Sequence, residues 1–440
     1  MSPTDYVGLH QRYARLLGSG QVMQLSGHKG EEKIRKEISR LFDGMMEALY
    51  KGKGAQFRIE LLEKPQMQEF IEGHSSALNS SFTQVEMSDI MRRRLERSNY
   101  IFSGFKAFHE LNEAFPSLID ENGNRKSFER FLNDVRKIDE TYNSNYLRAE
   151  YNFVQASATM AAKWEEFSRY GDRYNLQYRT VGDDKVRPEH AALNRVTLPI
   201  TDKFWEEFYP PNGWGCRCTV VQVRKSKYPV TDHDEAMSLG ELATGKDTKG
   251  IFRFNSGKQE KAVPDYNPYT ISRCRDCDIA NGKLKLAFVP DNELCAACAI
   301  LQKCAADKAK SERAIERTHY LHEMEPLLKK KVAKVVEGKN MNIGFSKEGN
   351  KHLFSDTFGR TRIVSKEDLK ELGKYLEQAT YIEHADLTHT NDLNIEHFYY
   401  FKVRIHGKWV RLNVAKQVHR QPNGKAQTKY FLYSVNDIVE

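Results

Sequence analysis

Two pairs of cysteines stand at a spacing that is typical of a metal site. Cys274 and Cys277 in "CRDC" are followed, after 17 intervening residues, by Cys295 and Cys298 in "CAAC". Each Cys-x-x-Cys turn can direct two thiolates at one ion, and two such turns complete a tetrahedron. We therefore predict a structural Zn²⁺ site here, with Cys304 as a substitute for one ligand. The alternative is that these cysteines are small buried hydrophobic residues, because "CAACAILQKC" has a helical pattern.

A second chemically unusual segment is "YPPNGWGCRCTV" at residues 209–220. Three kinds of structure would use these residue types: a metal site, a reactive thiol or a rigid corner. Two consecutive prolines restrict the entering chain, and the two glycines permit positive φ angles. The reactive thiol is disfavoured, because no helix N-terminus or adjacent base marks either cysteine.

The composition limits the class of protein. The chain has 440 residues, of which 40% are hydrophobic and 29% charged, with a mean hydropathy of −0.68. This length predicts two to four domains. No apolar run approaches a membrane span and the first residues do not form a secretory signal, so we expect no membrane partner and reduced cysteines. A net charge of +8 permits an acidic partner without establishing one.

The sequence also predicts the helices and strands that must position these residues, and together they indicate a multidomain α+β fold. "EEKIRKEISRLFDGMMEAL" places apolar residues at helical spacing, and Ser88 and Ser127 are predicted helix N-caps further along. The predicted segments are a helical N-terminal region at 1–144, a small α+β domain at 145–225, a loop-rich connector with the cysteine-rich zinc segment at 226–310, a charged helical spacer at 311–344, and a C-terminal domain of one helix plus an antiparallel sheet at 345–440.

A longer pattern surrounds the segment at 209–220. It reads "YRTVGDDKVRPEHAALNRVTLPITDKFWEEFYPPNGWGCRCTVVQV", preceded by the helical "NYLRAEYNFVQASATMAAKWEEF". The positions that carry the pattern are Thr180, Asp183, Val186, Arg187, His190, Leu198, Pro199, Phe204, Trp205, Pro210, Pro211, Gly213, Trp214, Cys216, Arg217 and Cys218. Over residues 145–222 the chain resembles the phage Mu F-like minor head proteins, the phage head morphogenesis family.

The resemblance implies a protein packaged in small copy number near the portal, which helps head assembly or DNA delivery. Portal and capsid proteins would be its partners, and the virion head or the host bacterial cytoplasm its location. The family pattern maps Asp183, His190, Cys216 and Cys218 onto a metal-binding or catalytic cluster. One nitrogen and two sulfurs are a credible set of zinc ligands, with Asp183 as a fourth ligand or as a partner to the ligands.

The C-terminal domain has the pattern of a helix followed by strands. Ser365 and Asp368 predict a capping box at the helix N-terminus. In "FYYFKVRI" and "WVRLNV" apolar and polar residues alternate, so one sheet face should pack on the helix. The other face should present polar side chains, namely Lys402, Arg404, Arg411, Asn413 and Ser434.

Positive charge is concentrated in one part of this domain. Between His397 and Tyr430 there are eight Lys or Arg residues and no Asp or Glu, with aromatic residues interleaved. Such a surface is typical of contact with phosphates and stacked bases, so we predict a nucleic-acid partner, either phage DNA or a target RNA.

At low specificity the arrangement resembles the barnase–EndoU–colicin–RelE-like ribonuclease domains that often end Mu F-like proteins. Those domains cut RNA without metal, by a base, an acid and cationic groups that steady the phosphorane. The resemblance implies an RNase toxin with an immunity protein as partner. The candidate residues are His384 or His389 as acid or base, Lys402, Arg404 and Arg411 for the phosphate, and Ser434 to position the substrate.

Three hypotheses follow. The first is a phage minor head protein that carries a C-terminal RNase domain. The second is a purely structural head protein whose basic sheet docks DNA, portal or scaffold without catalysis. The third is a metal-dependent hydrolase at the Asp183, His190, Cys216 and Cys218 cluster. The basic strand face favours the first two, and simple surface roles remain open for each histidine, lysine and arginine.

Overall fold

The computed structural model describes residues 28–52, 59–169, 173–247, 250–265, 267–270, 293–386, 394–420 and 426–438. The chain divides into two compact units, Met1–Met87 with Arg93–Ser311, and Ser88–Arg92 with Glu312–Glu440. Both helices and sheets are present, which confirms the multidomain α+β class. Among the described residues, no helix has the length and apolar content needed to cross a membrane.

Helices dominate the first unit up to residue 167. They are α1 (His28–Lys51), α2 (Pro65–Ser80), α3 (Asp89–Ala114), α4 (Phe128–Asp139) and α5 (Leu147–Phe167), with 3₁₀ turns at Ile59–Glu63 and Phe115–Leu118 and a π-helical segment at Glu140–Asn145. Helix α1 packs on α2 and α4, and α2 packs on α5. Local sequence explains the start of α4, because the side chain of Ser127 accepts a hydrogen bond from the Arg130 N–H, as predicted.

A small sheet follows the helices. Its strands are β1 (Tyr174–Arg179), β2 (Thr197–Leu198) and β3 (Thr219–Arg224), in the antiparallel order β2-β1-β3. The short helices around it are α6 (Pro188–Ala191), α7 (Phe204–Glu207), α8 (His233–Ala243) and α9 (Ser256–Gln259). An aromatic core joins the sheet to α5, and its fully buried members include Tyr178, Phe204, Trp205, Phe208 and Tyr209. This core is what holds the segment at 209–220 in place.

The second unit is built on a six-stranded sheet. Its elements after α10 (Glu293–Glu323) are β4 (Lys331–Val336), β5 (Lys339–Gly344), α11 (Lys347–Gly359), α12 (Lys366–Lys370), α13 (Leu372–Gln378), β6 (Thr380–Asp386), β7 (Ile395–Ile405), β8 (Lys408–Arg420) and β9 (Ala426–Asp437). The strand order is β4-β5-β9-β8-β7-β6, and every pair is antiparallel except β5 with β9.

Two expectations about this unit are wrong. The helical spacer predicted for 311–344 ends at Glu323, and residues 331–344 form β4 and β5 instead. The valines of β4 favour a strand, and Glu337 and Gly338 both have positive φ, which is the geometry of a tight hairpin turn. Among the described residues of 345–440 there are three helices instead of the predicted one, whereas the four antiparallel strands β6–β9 agree with the predicted three or four, and β4 and β5 from before this range extend the sheet with one parallel pair.

One face of the sheet carries the helices, and we call it the inner face. Phe401, Val403 and Ile405 of β7 are buried there, and Val410, Leu412 and Val414 of β8 continue the same layer. Leu369, Leu372 and Leu376 are fully buried against them, as the sequence predicts. The predicted capping box at Ser365 and Asp368 is present and begins α12. Lys402 and Arg404 alternate with the buried residues and are exposed on the outer face.

Candidate functional site

Three metal-binding side chains converge beside β3. The Nδ1 of His190 lies 3.7 Å from the Cys216 sulfur and 3.8 Å from the Cys218 sulfur. All three ligand atoms lie within 4.8 Å of one another, and within the part of the chain that is described no other such group of His, Cys, Asp and Glu occurs. The structure therefore brings together the three residues that the sequence analysis assigned to this cluster.

The backbone just before β3 places both sulfurs on the side of His190. Cys216 and Cys218 are two positions apart, a spacing at which the side chains of an extended segment share one face, and they directly precede β3, which begins at Thr219. Gly215 has a φ of 66°, a left-handed conformation that glycine adopts without strain, and the Cys216 N–H donates to the Gly213 carbonyl at 3.1 Å. Gly215 therefore shapes the turn that leads into the two cysteines, and both thiols face His190.

The surroundings of the cluster are buried and aromatic. His190 and Cys216 are buried, and Cys218 is partly exposed. The Tyr178 hydroxyl donates to the Asn212 side chain at 2.8 Å, and burial together with the two sulfurs raises the pKa of Tyr178. A hydrogen bond with Cys218 lowers the pKa of the Cys216 thiol, and the same contact with burial raises the pKa of Cys218. A cation would offset the cost of ionising both thiols here.

Asp183 does not join this cluster. Its carboxylate forms two 2.6 Å bonds with the Arg217 guanidinium, in an exposed bidentate ion pair. Arg217 stands between the two cysteines in sequence and points away from their sulfurs because neighbouring side chains alternate. The sequence left Asp183 open as a fourth ligand or as a partner to the ligands, and in the structure its contact with Arg217 connects the 183 loop to the cysteine turn.

Comparison with known proteins gives a match over this same region. Residues 120–221 match the sequence model of the family described as "Phage Mu protein F like protein". This segment is similar to the phage Mu F-like proteins. His190, Cys216 and Cys218 all fall inside it, and we refer to residues 120–221 as the Mu F-like segment.

Two curated proteins are similar to the chain. The "Putative capsid assembly protein F" of Escherichia phage Mu is 33% identical over 168 residues, covering 34% of this chain and 36% of that protein. The "Mu-like prophage FluMu F protein" of Haemophilus influenzae is 29% identical over 137 residues, covering 29% of this chain and 30% of that protein. The matched region thus spans about a third of these relatives. No solved structure matches the chain.

The four-cysteine zinc site stays a prediction. Cys274 and Cys277 lie outside the described residues, and so does the side chain of Cys295. Cys298 and Cys304 lie in α10, where Cys304 is buried and Cys298 partly exposed. The helical alternative for "CAACAILQKC" agrees with this placement from Glu293 onward.

The outer face of the second unit carries the predicted cationic residues, and we call Lys402, Arg404, Trp409 and Arg411 the basic face. The Lys402 ammonium and the Arg404 guanidinium lie 5.1 Å and 4.8 Å from the centre of a Trp409 ring. Arg411 lies across from Lys402 in the strand register and stacks 4.7 Å from the Tyr400 ring. These contacts hold three cations and two aromatic rings on one surface.

The other predicted residues of that site are buried, lie on the other face or fall outside the described residues. Ser434 is buried and accepts a 2.7 Å hydrogen bond from Asn413, so it orders the sheet instead of facing a substrate. His384 pairs with Tyr399, whose side chain packs on the inner core, so His384 lies on the inner face. His389 falls outside the described residues. The structure therefore groups Lys402, Arg404 and Arg411, but it places His384 across the sheet from them.

A buried polar network in the first unit was not predicted from the sequence. The Lys106 ammonium, fully buried, donates to Glu150 at 2.8 Å and to the Tyr142 carbonyl in the π-helical segment at 2.7 Å. His74 contacts Glu150 at 3.1 Å, and the Tyr269 hydroxyl donates to the same carboxylate. The signal was present in the sequence as charged residues at apolar helix positions, since Lys106 follows Phe102 by four.

Burial sets the protonation of this network. Desolvation lowers the pKa of His74 to about 4, so it is neutral at pH 7. Desolvation acts to raise the pKa of Glu150, but the Lys106 ammonium and His74 outweigh it and bring the pKa to about 2. Burial raises the pKa of Glu110 to about 8, which leaves that carboxyl protonated. The network therefore contains one compensated ion pair and two neutral groups.

Proposed function

We propose that this chain acts in phage head assembly, with portal and capsid proteins as partners and the virion head as its location. The observation that carries the proposal is the 33% identity, over 168 residues, to a protein named for capsid assembly. The Mu F-like segment separately matches the family model, and its aromatic core and cysteine turn are formed in the structure. Such a folded segment offers a rigid surface to an assembly partner.

A complementation experiment tests this role. Deleting the gene from an inducible prophage should lower the yield of intact particles, and the full chain should restore it. A chain that lacks residues 120–221 should fail to restore the yield. A double variant of the basic face, Arg404→Ala with Arg411→Ala, is the matched control and should restore it. Normal particle yield without the gene product would contradict the proposal.

We further propose that His190, Cys216 and Cys218 bind Zn²⁺ as a structural ion. Sulfur and nitrogen ligands of a tetrahedral Zn²⁺ stand roughly 3.6 Å apart, given Zn–S near 2.3 Å and Zn–N near 2.0 Å. The 3.7 and 3.8 Å separations of this site fit that spacing. The ion would connect α6 to the turn before β3 and so stabilise the end of the Mu F-like segment. Three protein ligands leave a fourth position for water or another group.

A second function is supported for the C-terminal unit: the basic face binds nucleic acid. The specific observation is that Lys402 and Arg404 flank Trp409 while Arg411 stacks on Tyr400, so cations and aromatic planes share one surface. Cations neutralise phosphates, and exposed aromatic planes stack on bases. In a head protein this face would contact packaged DNA or a target RNA. Filter binding of the full chain to single-stranded RNA and to duplex DNA tests the proposal and separates the two.

A further inference from the structure

Two thiols of the Mu F-like segment lie close enough to react with each other. Cys216 and Cys218 are both free, and their sulfurs lie within 4.8 Å of one another beside the His190 ring. The Nδ1 of His190 lies 3.7 Å from one sulfur and 3.8 Å from the other. The sequence disfavours a reactive thiol here because it shows no adjacent base, but the fold places His190 beside both sulfurs. The pair therefore has a chemistry available besides metal binding.

The backbone between the two cysteines permits a disulfide. A disulfide usually joins Cα atoms that are about 4.4–6.8 Å apart. An extended chain spans about 3.3–3.6 Å per residue, so residues two positions apart lie within about 7 Å of each other. A small change of the backbone at Arg217 is therefore enough to close the ring. Arg217 precedes β3 and lies outside its ladder of hydrogen bonds, so the sheet does not oppose this change.

The cysteine turn is anchored on both sides of the pair. The Arg187 guanidinium donates to the Trp214 carbonyl at 2.5 Å, and Arg217 forms the exposed bidentate ion pair with Asp183. The Trp214 ring packs on Phe153, with 5.1 Å between the ring centres. None of these contacts involves a sulfur atom. They therefore hold the two thiols near each other with or without a metal.

The two sulfurs differ in their access to solvent. Cys216 is only 8% exposed, whereas Cys218 is partly exposed. A small oxidant in solution can therefore reach Cys218 more readily than Cys216. Once Cys218 carries a mixed disulfide, the Cys216 sulfur lies within reach of it and can attack.

We propose that Cys216 and Cys218 form a reversible disulfide by exchange with a small-molecule disulfide such as oxidised glutathione. The Cys218 thiolate attacks one sulfur of that oxidant, whose S–S bond breaks and releases one thiolate. The Cys216 thiolate then attacks the Cys218 sulfur and displaces the second thiolate. The two cysteines together lose two protons and two electrons, and the oxidant becomes two thiols.

The disulfide and a bound metal exclude each other. Zn²⁺ is held by thiolates, and the sulfurs of a disulfide no longer carry that charge. This consequence rests on the zinc site proposed above, whereas the disulfide itself rests only on the geometry of the two thiols. In a head protein the reduced pair would belong to assembly in the reducing cytoplasm, and the oxidised pair to the particle outside the cell.

The test follows the state of the cysteines in the purified full chain, incubated with oxidised glutathione and EDTA. Trypsin cuts after Arg217 and so separates the two cysteines, leaving peptides 204–217 and 218–224. After free thiols are alkylated, mass spectrometry of the monomer should find these two peptides linked by a disulfide, and dithiothreitol should separate them. Two separately alkylated peptides from the oxidised wild-type chain would overturn the proposal.

Variants test the order of the two steps. Cys216→Ser should accumulate glutathione on Cys218, whereas Cys218→Ser should react far more slowly because its remaining thiol is buried. Equal rates in these two variants would contradict the proposed order. Cys298→Ser is the control and should still give the linked peptides. Cys298 and Cys304 lie six positions apart in α10, about 9 Å along a helix, which is too far for a disulfide.

Zinc separates this inference from the metal site. With Zn²⁺ at about 100 times its dissociation constant and no EDTA, disulfide formation in the wild-type chain should slow by about 100-fold, because only the metal-free fraction reacts. A disulfide that forms equally fast with and without Zn²⁺ refutes the zinc site alone. A chain that binds zinc but never gives the linked peptides refutes this inference alone. Both results are independent of the head-assembly role, which the particle yield tests.

Discussion

His384 and Lys402 lie on opposite faces of one sheet. Lys402 is exposed beside Trp409, whereas His384 is the register partner of Tyr399, which packs on the inner core. A side chain on one face of a sheet cannot reach a phosphate bound on the other. A substitution at the basic face therefore leaves the surroundings of His384 unchanged.

Removal of charge from the basic face should weaken nucleic-acid binding in a salt-dependent way. For Arg404→Ala with Arg411→Ala we expect a lower affinity for RNA and DNA alike, because each cation that neutralises a phosphate releases a counterion. The slope of log affinity against log salt concentration should fall by about 2. Titration by fluorescence anisotropy at several salt concentrations measures it.

The charge-matched control is Lys329→Ala with Lys331→Ala, two exposed lysines at the other side of the unit. It changes the net charge equally and should leave the slope near its wild-type value. Equal slopes for the two double variants would show that total charge, and not the basic face, drives binding.

Loss of a ligand at the Mu F-like cluster should release metal. Cys216→Ser and Cys218→Ser should each reduce bound zinc, measured by mass spectrometry of the purified chain, and should destabilise the first unit. The reason is that two remaining ligands hold Zn²⁺ poorly, and structural zinc contributes directly to folding. Asp183→Asn is the control and should retain zinc, since Asp183 contacts Arg217 instead. Unchanged zinc in both cysteine variants would exclude this cluster as the metal site.

Breaking the buried Lys106–Glu150 ion pair should lower the free energy of unfolding of the first unit. Lys106→Met leaves the Glu150 carboxylate buried without its cation, and we expect a loss of about 3–5 kcal/mol in the free energy of unfolding. Lys36→Met, in an exposed pair with Glu32, should cost far less, because water screens exposed ion pairs. Hydrogen exchange of peptides from α3 and α5 measures both. Similar protection in the two variants would show that the network adds little stability.

Glu110 should make the stability of the first unit fall as pH rises. Its pKa is raised by burial from 4.5 to about 8, so the folded state holds a proton that the unfolded chain has already lost. Stability from this group is complete below pH 4.5 and is lost between pH 4.5 and 8, by at most about 1.4 kcal/mol per pH unit. Glu110→Gln should remove this dependence, measured by urea unfolding from pH 5 to 8.5. Glu113→Gln, at a partly exposed neighbour, should retain it.

Local signals in the sequence predict local structure well. The Ser127 cap, the capping box at Ser365 and the alternation from Phe401 to Ile405 are each determined by residues a few positions apart, and the structure contains all three. The parallel pairing of Ile343 with Tyr430 joins residues far apart in the chain, and no local pattern encodes it. The strands β4 and β5 themselves carry a local signal, the valines of β4, which the prediction of a helical spacer overlooked.

One β-bulge separates His384 from the cationic residues with which it was predicted to act. Thr380 pairs with Lys402, and an unbroken register would place His384 opposite Phe398. The bulge between Tyr381 and Glu383 shifts the register by one residue, so His384 pairs with Tyr399 and changes face. The cysteine cluster was easier to predict, because the resemblance supplied its residues. The pairing of Asp183 with Arg217 was not predicted, because no local pattern shows which cation a carboxylate of this loop will contact.

The head-assembly role is tested most directly by the composition of particles. Phage particles induced from the host should be purified on a density gradient, and this chain should be sought in them by quantitative mass spectrometry. We predict that it is present in small copy number with the portal and capsid proteins, and that it disappears when residues 120–221 are deleted. Particles of normal yield that contain none of the wild-type chain would contradict the proposed function.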